Sequence, residues 1–107
     1  MALPSQNRLR KKKDFDAVFK EGKAIKSASL FVKYRRNLLS ESRFGFIMPL
    51  KTVGNVATRN RIKRVLSEAI HLRIDSIEKG RDVVITVRKK EKEDILKKEM
   101  LELFNIG

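Results

Sequence analysis

Six consecutive residues, Asp82-Val83-Val84-Ile85-Thr86-Val87, constrain the fold of this chain more than any others. After the leading aspartate every side chain is β-branched, and no polar residue alternates through the run. That pattern suits a strand buried on both faces. With 107 residues the chain is expected to form one domain, numbered 1–107, around a modest core.

The stretch 51–73, KTVGNVATRNRIKRVLSEAIHLR, carries the second strong signal. At about 100° per residue from Thr58, a helix would gather Ile62, Val65, Leu66, Ala69 and Leu72 on one apolar face. Asn60, Lys63, Arg64, Ser67 and His71 would collect opposite, with Arg59 and Arg61 on the flanks. Gly54 and Asn55 supply a turn before it, and either Asn55 or Thr58 can cap the first free amides. Such a helix docks on a core and offers cations outward.

The remaining elements follow in order. Residues 1–13 read as an ordered or half-ordered basic arm, with Arg8, Arg10, Lys11, Lys12 and Lys13 close together. Phe15, Val18 and Phe19 share the spacing of one helix face, and Gly22 is a plausible stop. On spacing alone the two phenylalanines read as core; the rival reading leaves them as an aromatic edge for unpaired bases.

Residues 24–36 read as extended, with Leu30, Val32 and Tyr34 on one face and Phe31, Lys33 and Arg35 on the other. Asn37 to Ser42 is a turn, and Arg43 to Met48 a strand that Pro49 should end. Ile74 to Gly80 connects to the Asp82 strand. Lys89 to Asp94 is a charged turn or helix start, and Ile95, Leu96, Met100, Leu101, Leu103 and Phe104 mark a last helix covering the sheet. The order is α, β, β, a possible third β, α, β, α. An α+β sandwich of helices on a small mixed sheet is expected.

Charge narrows the function. Lysine and arginine number 26 against 13 acids, a formal charge of +13. In a small body such an excess repels itself, and nucleic acid is the partner that relieves it best. No apolar run approaches the roughly 18 residues a membrane span needs, and no clear membrane-surface helix with exposed large apolar residues is evident, so no membrane partner is expected. With no cysteine, disulfides and thiolate chemistry are excluded, and a reducing cytoplasmic setting is expected.

Reactive groups are sparse. His71 is the sole histidine, and Asp14, Asp16, Asp75 and Asp82 are scattered. No glycine-rich phosphate loop occurs. Catalytic residues are therefore expected to be none, and protein-held metal none. The cations instead suit passive phosphate contact, arginine through its planar fork and lysine as a point charge.

The run GNVATRNRIKR, with Lys51 before it, Glu68 after it and NRLRKKKDFDAVFKEG upstream, closely resembles the protein component of bacterial ribonuclease P. The resemblance covers most of the chain in order. It implies an α-β-β-β-α-β-α fold similar to a ribosomal-protein domain, with a left-handed βαβ crossover against the usual rule. It implies an accessory subunit of a ribonucleoprotein endonuclease, whose catalytic RNA removes the 5′ leader from precursor tRNA with Mg2+ at the RNA active site.

Carried over residue by residue, the resemblance makes Lys51, Asn55, Arg59, Asn60, Arg61, Lys63 and Arg64 the contact with the RNA subunit. It makes Phe15, Phe19, Phe31 and Tyr34 the cleft for the single-stranded leader, reversing the core reading of Phe15 and Phe19. Phe31 and Tyr34 have opposite parity, so only a bulge would let both face it. Ser67 stands where the family usually has arginine, and Leu50-Lys51-Thr52 where it usually has a basic pair. Pro49 is also unexpected beside the cleft. Two alternatives stay open: a structural RNA-binding protein of the ribosomal type, and an autonomous metal-dependent nuclease.

Overall fold

The computed structural model describes residues 3–105. Four strands form one mixed sheet in the order β1-β2-β4-β3. They are β1 (Lys23–Lys26), β2 (Leu30–Arg36), β3 (Arg43–Ile47) and β4 (Arg81–Val87). β1 and β2 are antiparallel, as are β2 and β4, whereas β3 runs parallel to β4. The helices are α1 (Lys12–Glu21), α2 (Leu50–Val53), α3 (Val56–Leu72) and α4 (Glu93–Leu103).

The β-branched run lies in β4, flanked by β2 and β3. One face carries Val83, Ile85 and Val87, paired with Tyr34, Val32 and Leu30, and it joins Phe44, Ile62, Leu66, Ile70, Leu96 and Met100 in the main core. The other face carries Val84, which packs with Leu9, Val18, Phe15 and Ile47 under α1. Helices therefore cover both faces, α3 and α4 on one and α1 on the other. This is the expected α+β sandwich.

Residues 24–36 are a hairpin and not one extended segment. The chain reverses at Ser27 to Ser29, where the Ser27 amide donates to the Leu30 carbonyl and the Leu30 amide to Ser27 Oγ. The third strand is thus present as β1. The ladder from Leu30↔Val87 to Arg36↔Arg81 runs without interruption, so no bulge changes the parity of Phe31 and Tyr34.

The basic arm is ordered, and it packs more closely than its charge suggests. Leu3, Asn7 and Leu9 are buried, and the Leu9 amide donates to the Phe44 carbonyl where Arg8 bridges β3 in parallel. The arm shields the outer edge of β3, which would otherwise present unpaired backbone groups. Its apolar residues had no periodicity to reveal this; Met1 and Ala2 lie outside the described residues.

Pro49 ends β3 and opens α2, its carbonyl accepting from the amides of Thr52 and Val53. Gly54 then turns the chain at φ 104°, a conformation side chains resist. Asn55 is the cap of α3: its Oδ1 accepts from the Thr58 amide at 2.8 Å. At the end of α1, Gly22 is required for space, because a Cβ there would lie 2.4 Å from the Val18 carbonyl oxygen.

α3 is rolled relative to its apolar periodicity. Its buried residues are Ile62, Leu66, Ser67, Ala69 and Ile70, while Leu72 is 72% exposed. Ser67, expected among the outward polar residues, is fully buried, and its Oγ has no hydrogen-bond partner among the described residues. Periodicity gives the width of an apolar arc, but packing chooses its centre. Here the core closes on Leu66 and Ile70, which draws Ser67 inward. In α4, Leu96, Met100 and Leu101 are buried as expected, whereas Ile95 is exposed.

Candidate nucleic-acid interface

Two surfaces emerge, one aromatic and one cationic. On α1, Phe15 and Phe19 stand four residues apart over the face of the sheet that carries Phe31, Lys33 and Gly45. Phe15 is half-buried and lies across Gly45, where a Cβ would come within 2.4 Å of the ring. Phe19 is 37% exposed, and Lys33 Nζ sits 5.8 Å from its ring centroid while donating to the Phe19 carbonyl. A cation beside an exposed ring suits a nucleotide, whose base can stack and whose phosphate can pair.

Tyr34 does not join them. It lies on the opposite face, where the Arg81 guanidinium stacks at 4.8 Å from its ring and Ile25, Ile77 and Phe104 line the same cavity of about 530 Å³. The uninterrupted ladder is the reason, since alternate side chains of β2 must point to opposite faces. Of the expected aromatic set, Phe15, Phe19 and Phe31 share a face and Tyr34 does not.

The cationic surface centres on α3. Asn60, Lys63 and Arg64 are exposed, Arg59 is half-buried, and Lys51 is exposed on α2. Among the described residues Arg59, Lys63 and Arg64 make no ion pair. Arg61 does: its Nε donates to Oε1 of Glu93 at the start of α4. The Glu93 carboxyl is held below its ordinary range by its own backbone amide and by Arg61.

Cations outside the expected set close one side of this surface. Between β4 and α4 the chain reads Arg88-Lys89-Lys90-Glu91-Lys92, and Lys90 Nζ reaches over the α2–α3 turn, 3.8 Å from where a Gly54 Cβ would stand. Lys90, Lys92, Arg61, Thr58 and Ile62 line a cleft of about 400 Å³. The charged run was visible in the sequence; its proximity to Gly54 was not. Lys33, beside Phe19, was likewise legible only as a face-mate of Phe31.

Three of the four scattered carboxylates, Asp14, Asp16 and Asp82, have structural partners. Arg43 donates from Nε and Nη2 to the two oxygens of buried Asp82, at 2.8 and 2.7 Å, and Asn37 adds a third bond. Asp14 faces Arg43 at 3.5 Å and Asp16 pairs with Lys12. Among the described residues no three histidine or acidic side chains come together as metal ligands, and no helix is long and apolar enough to cross a membrane. His71 is exposed on α3.

Comparison with known proteins agrees with this architecture. The family model described as Ribonuclease P matches residues 3–106. A ribonuclease P protein component from Thermotoga maritima is 37% identical over 89 residues, covering 83% of this chain and 75% of the relative. One from Alkaliphilus metalliredigens is 33% identical, covering 89% and 85%. A solved ribonuclease P protein from Thermotoga maritima, in complex with 1-(4-fluorophenyl)-2-thiourea, superposes with a TM-score of 0.83 at 33% identity, covering 91% of this chain and 96% of that one. Sequence and fold lead to the same place: this chain belongs to the ribonuclease P protein family.

Proposed function

We propose that this ribonuclease P protein divides its work between the two surfaces. The chain is the protein subunit of a ribonucleoprotein endoribonuclease, and its partner is the catalytic RNA. Lys51, Asn55, Arg59, Asn60, Arg61, Lys63 and Arg64 meet that RNA. Phe15, Phe19 and Phe31, with Lys33 beside them, hold the single-stranded 5′ leader of precursor tRNA. The RNA supplies the chemistry with Mg2+ at its own active site, in the cytoplasm, and the protein contributes binding energy.

The observation that carries this reading is the separation of the cationic face of α3, where Arg59, Lys63 and Arg64 make no ion pair among the described residues, from exposed Phe19 on α1 with Lys33 of β2 beside it. Phosphate neutralisation makes such binding steeply salt-dependent; six to ten contacts lose about 10³ to 10⁵ in affinity between 50 and 200 mM salt. Asn55 serves α3 through its cap bond, so its part in the RNA contact is to hold the helix start as well as to border it.

Reconstitution tests the proposal. The protein is mixed with a ribonuclease P RNA transcript and precursor tRNA at low Mg2+. Cleavage at the mature 5′ end that neither macromolecule gives alone is the expected result. Binding of RNA without stimulation would indicate a purely structural RNA-binding protein, and cleavage by protein alone an autonomous nuclease.

A further inference from the structure

Within the cationic run of α3, Arg61 is the residue to which the structure gives an acidic partner, Glu93, 32 positions along the chain. We infer that Glu93 is a positioning residue for the RNA contact: it holds the Arg61 guanidinium in place for phosphate. The inference rests on the reading of α3 as the surface that meets the RNA subunit.

Three features support it. The bond to Glu93 is made by Nε, the inner nitrogen, and the two terminal nitrogens make no hydrogen bond among the described residues. Those terminal nitrogens form the fork that meets phosphate oxygens in bidentate fashion. The acceptor is itself fixed, because Glu93 occupies the first turn of α4, where the helix dipole favours an acid. An arginine free in solvent loses its rotamer freedom when it binds, whereas Arg61 has surrendered much of it beforehand.

A carboxylate near a phosphate site also repels the ligand. Here Lys90 and Lys92 line the same cleft as Arg61 and Glu93. With Arg61 they set three cations against the two acids that line the cleft, Glu91 and Glu93, so the cleft stays net positive by one charge, and fixing the guanidinium is the effect assigned to Glu93. The loop that carries the lysines leads directly into α4 and thus places acid and cations together.

The experiment is a double-mutant cycle on binding of the full chain to a ribonuclease P RNA transcript. E93A is expected to weaken binding about threefold, the scale of an exposed ion pair. E93Q, whose amide oxygen can still accept from Nε, is expected to stay within about twofold of wild type. In an R61A background, E93A is expected to have no further effect.

Tighter binding by E93A would overturn the inference and make Glu93 a competitor of phosphate. An E93A loss that persists in the R61A background would overturn it as well, assigning Glu93 to the stability of α4. If R61A alone binds like wild type, the RNA-contact role of Arg61 fails and the positioning role falls with it. Weak R61A with unchanged E93A sinks only the positioning role.

Discussion

The ring of Phe15 occupies the space that a side chain on Gly45 would need: a Cβ on that glycine would lie 2.4 Å from Cζ and 2.7 Å from Cε1 of the ring. The glycine of β3 and the phenylalanine of α1 are therefore two halves of one packing decision. Gly45→Ala is expected to push the ring outward at a cost of about 1–3 kcal/mol, the range for overpacking a filled core. Thermal unfolding gives the stability loss. Binding of leader-bearing precursor tRNA by the reconstituted enzyme should weaken more than binding of mature tRNA. Unchanged stability would show that the ring is free to move aside.

Phe19 and Tyr34 lie on opposite faces of the sheet, so their removal should separate. Phe19→Ala is expected to lose discrimination for leader-bearing over mature tRNA, on the scale of about 1–3 kcal/mol for a lost base stack. Tyr34→Ala should leave discrimination intact while lowering stability. Competition binding with the two substrates decides, and equal loss of discrimination in both variants would return Tyr34 to the leader surface.

Arg64 is exposed and without an ion pair among the described residues, free to neutralise a phosphate. Arg64→Ala should weaken binding to the RNA subunit and reduce the salt slope by about one unit. Titrations between 50 and 200 mM salt measure both quantities. An unchanged slope and affinity would remove Arg64 from the interface.

Glu99 of α4 ties the helix to the β1–β2 turn by accepting from the Ser27 hydroxyl and, at 2.8 Å, from the Ser29 amide. Burial raises its carboxyl, but the bonds from Ser27 and Ser29 and attraction to Lys89 outweigh that, leaving the pKa lowered. A carboxyl lowered by folding stabilises the protein above its unfolded pKa of about 4.3 and loses that effect as pH falls through the folded value. Glu99→Gln should therefore be less stable than wild type at pH 7, with the gap closing below about pH 4. Chemical unfolding across that window would show a constant gap if Glu99 were unperturbed.

Ser67 is a buried hydroxyl without a hydrogen-bond partner among the described residues, inside a helix. Ser67→Ala removes an unsatisfied polar group and improves helix propensity, so it should stabilise the fold by about 1 kcal/mol or more. The expected rise in Tm is about 4 °C or more. An arginine at this position would have to leave the core to reach phosphate, so Ser67→Arg should destabilise. A stable Ser67→Arg with tighter RNA binding would show that α3 can roll back.

Much of this molecule was legible before folding was considered. The β-branched run of β4, the Phe15-Val18-Phe19 spacing of α1 and the clustered cations of α3 each express themselves within a few residues, because side-chain periodicity and charge are local properties. They determined the element types, the mixed sheet covered by helices and the polyanionic partner. Other features join distant parts of the chain: Tyr34 beneath Arg81, the arm against β3, Lys90 above Gly54 and Arg61 on Glu93. Local patterns are silent on these, since register and packing decide them. The roll of α3 is the clearest case: its apolar arc was readable, but only closure of the core on Leu66 and Ile70 determined that Ser67 turned inward and Leu72 outward.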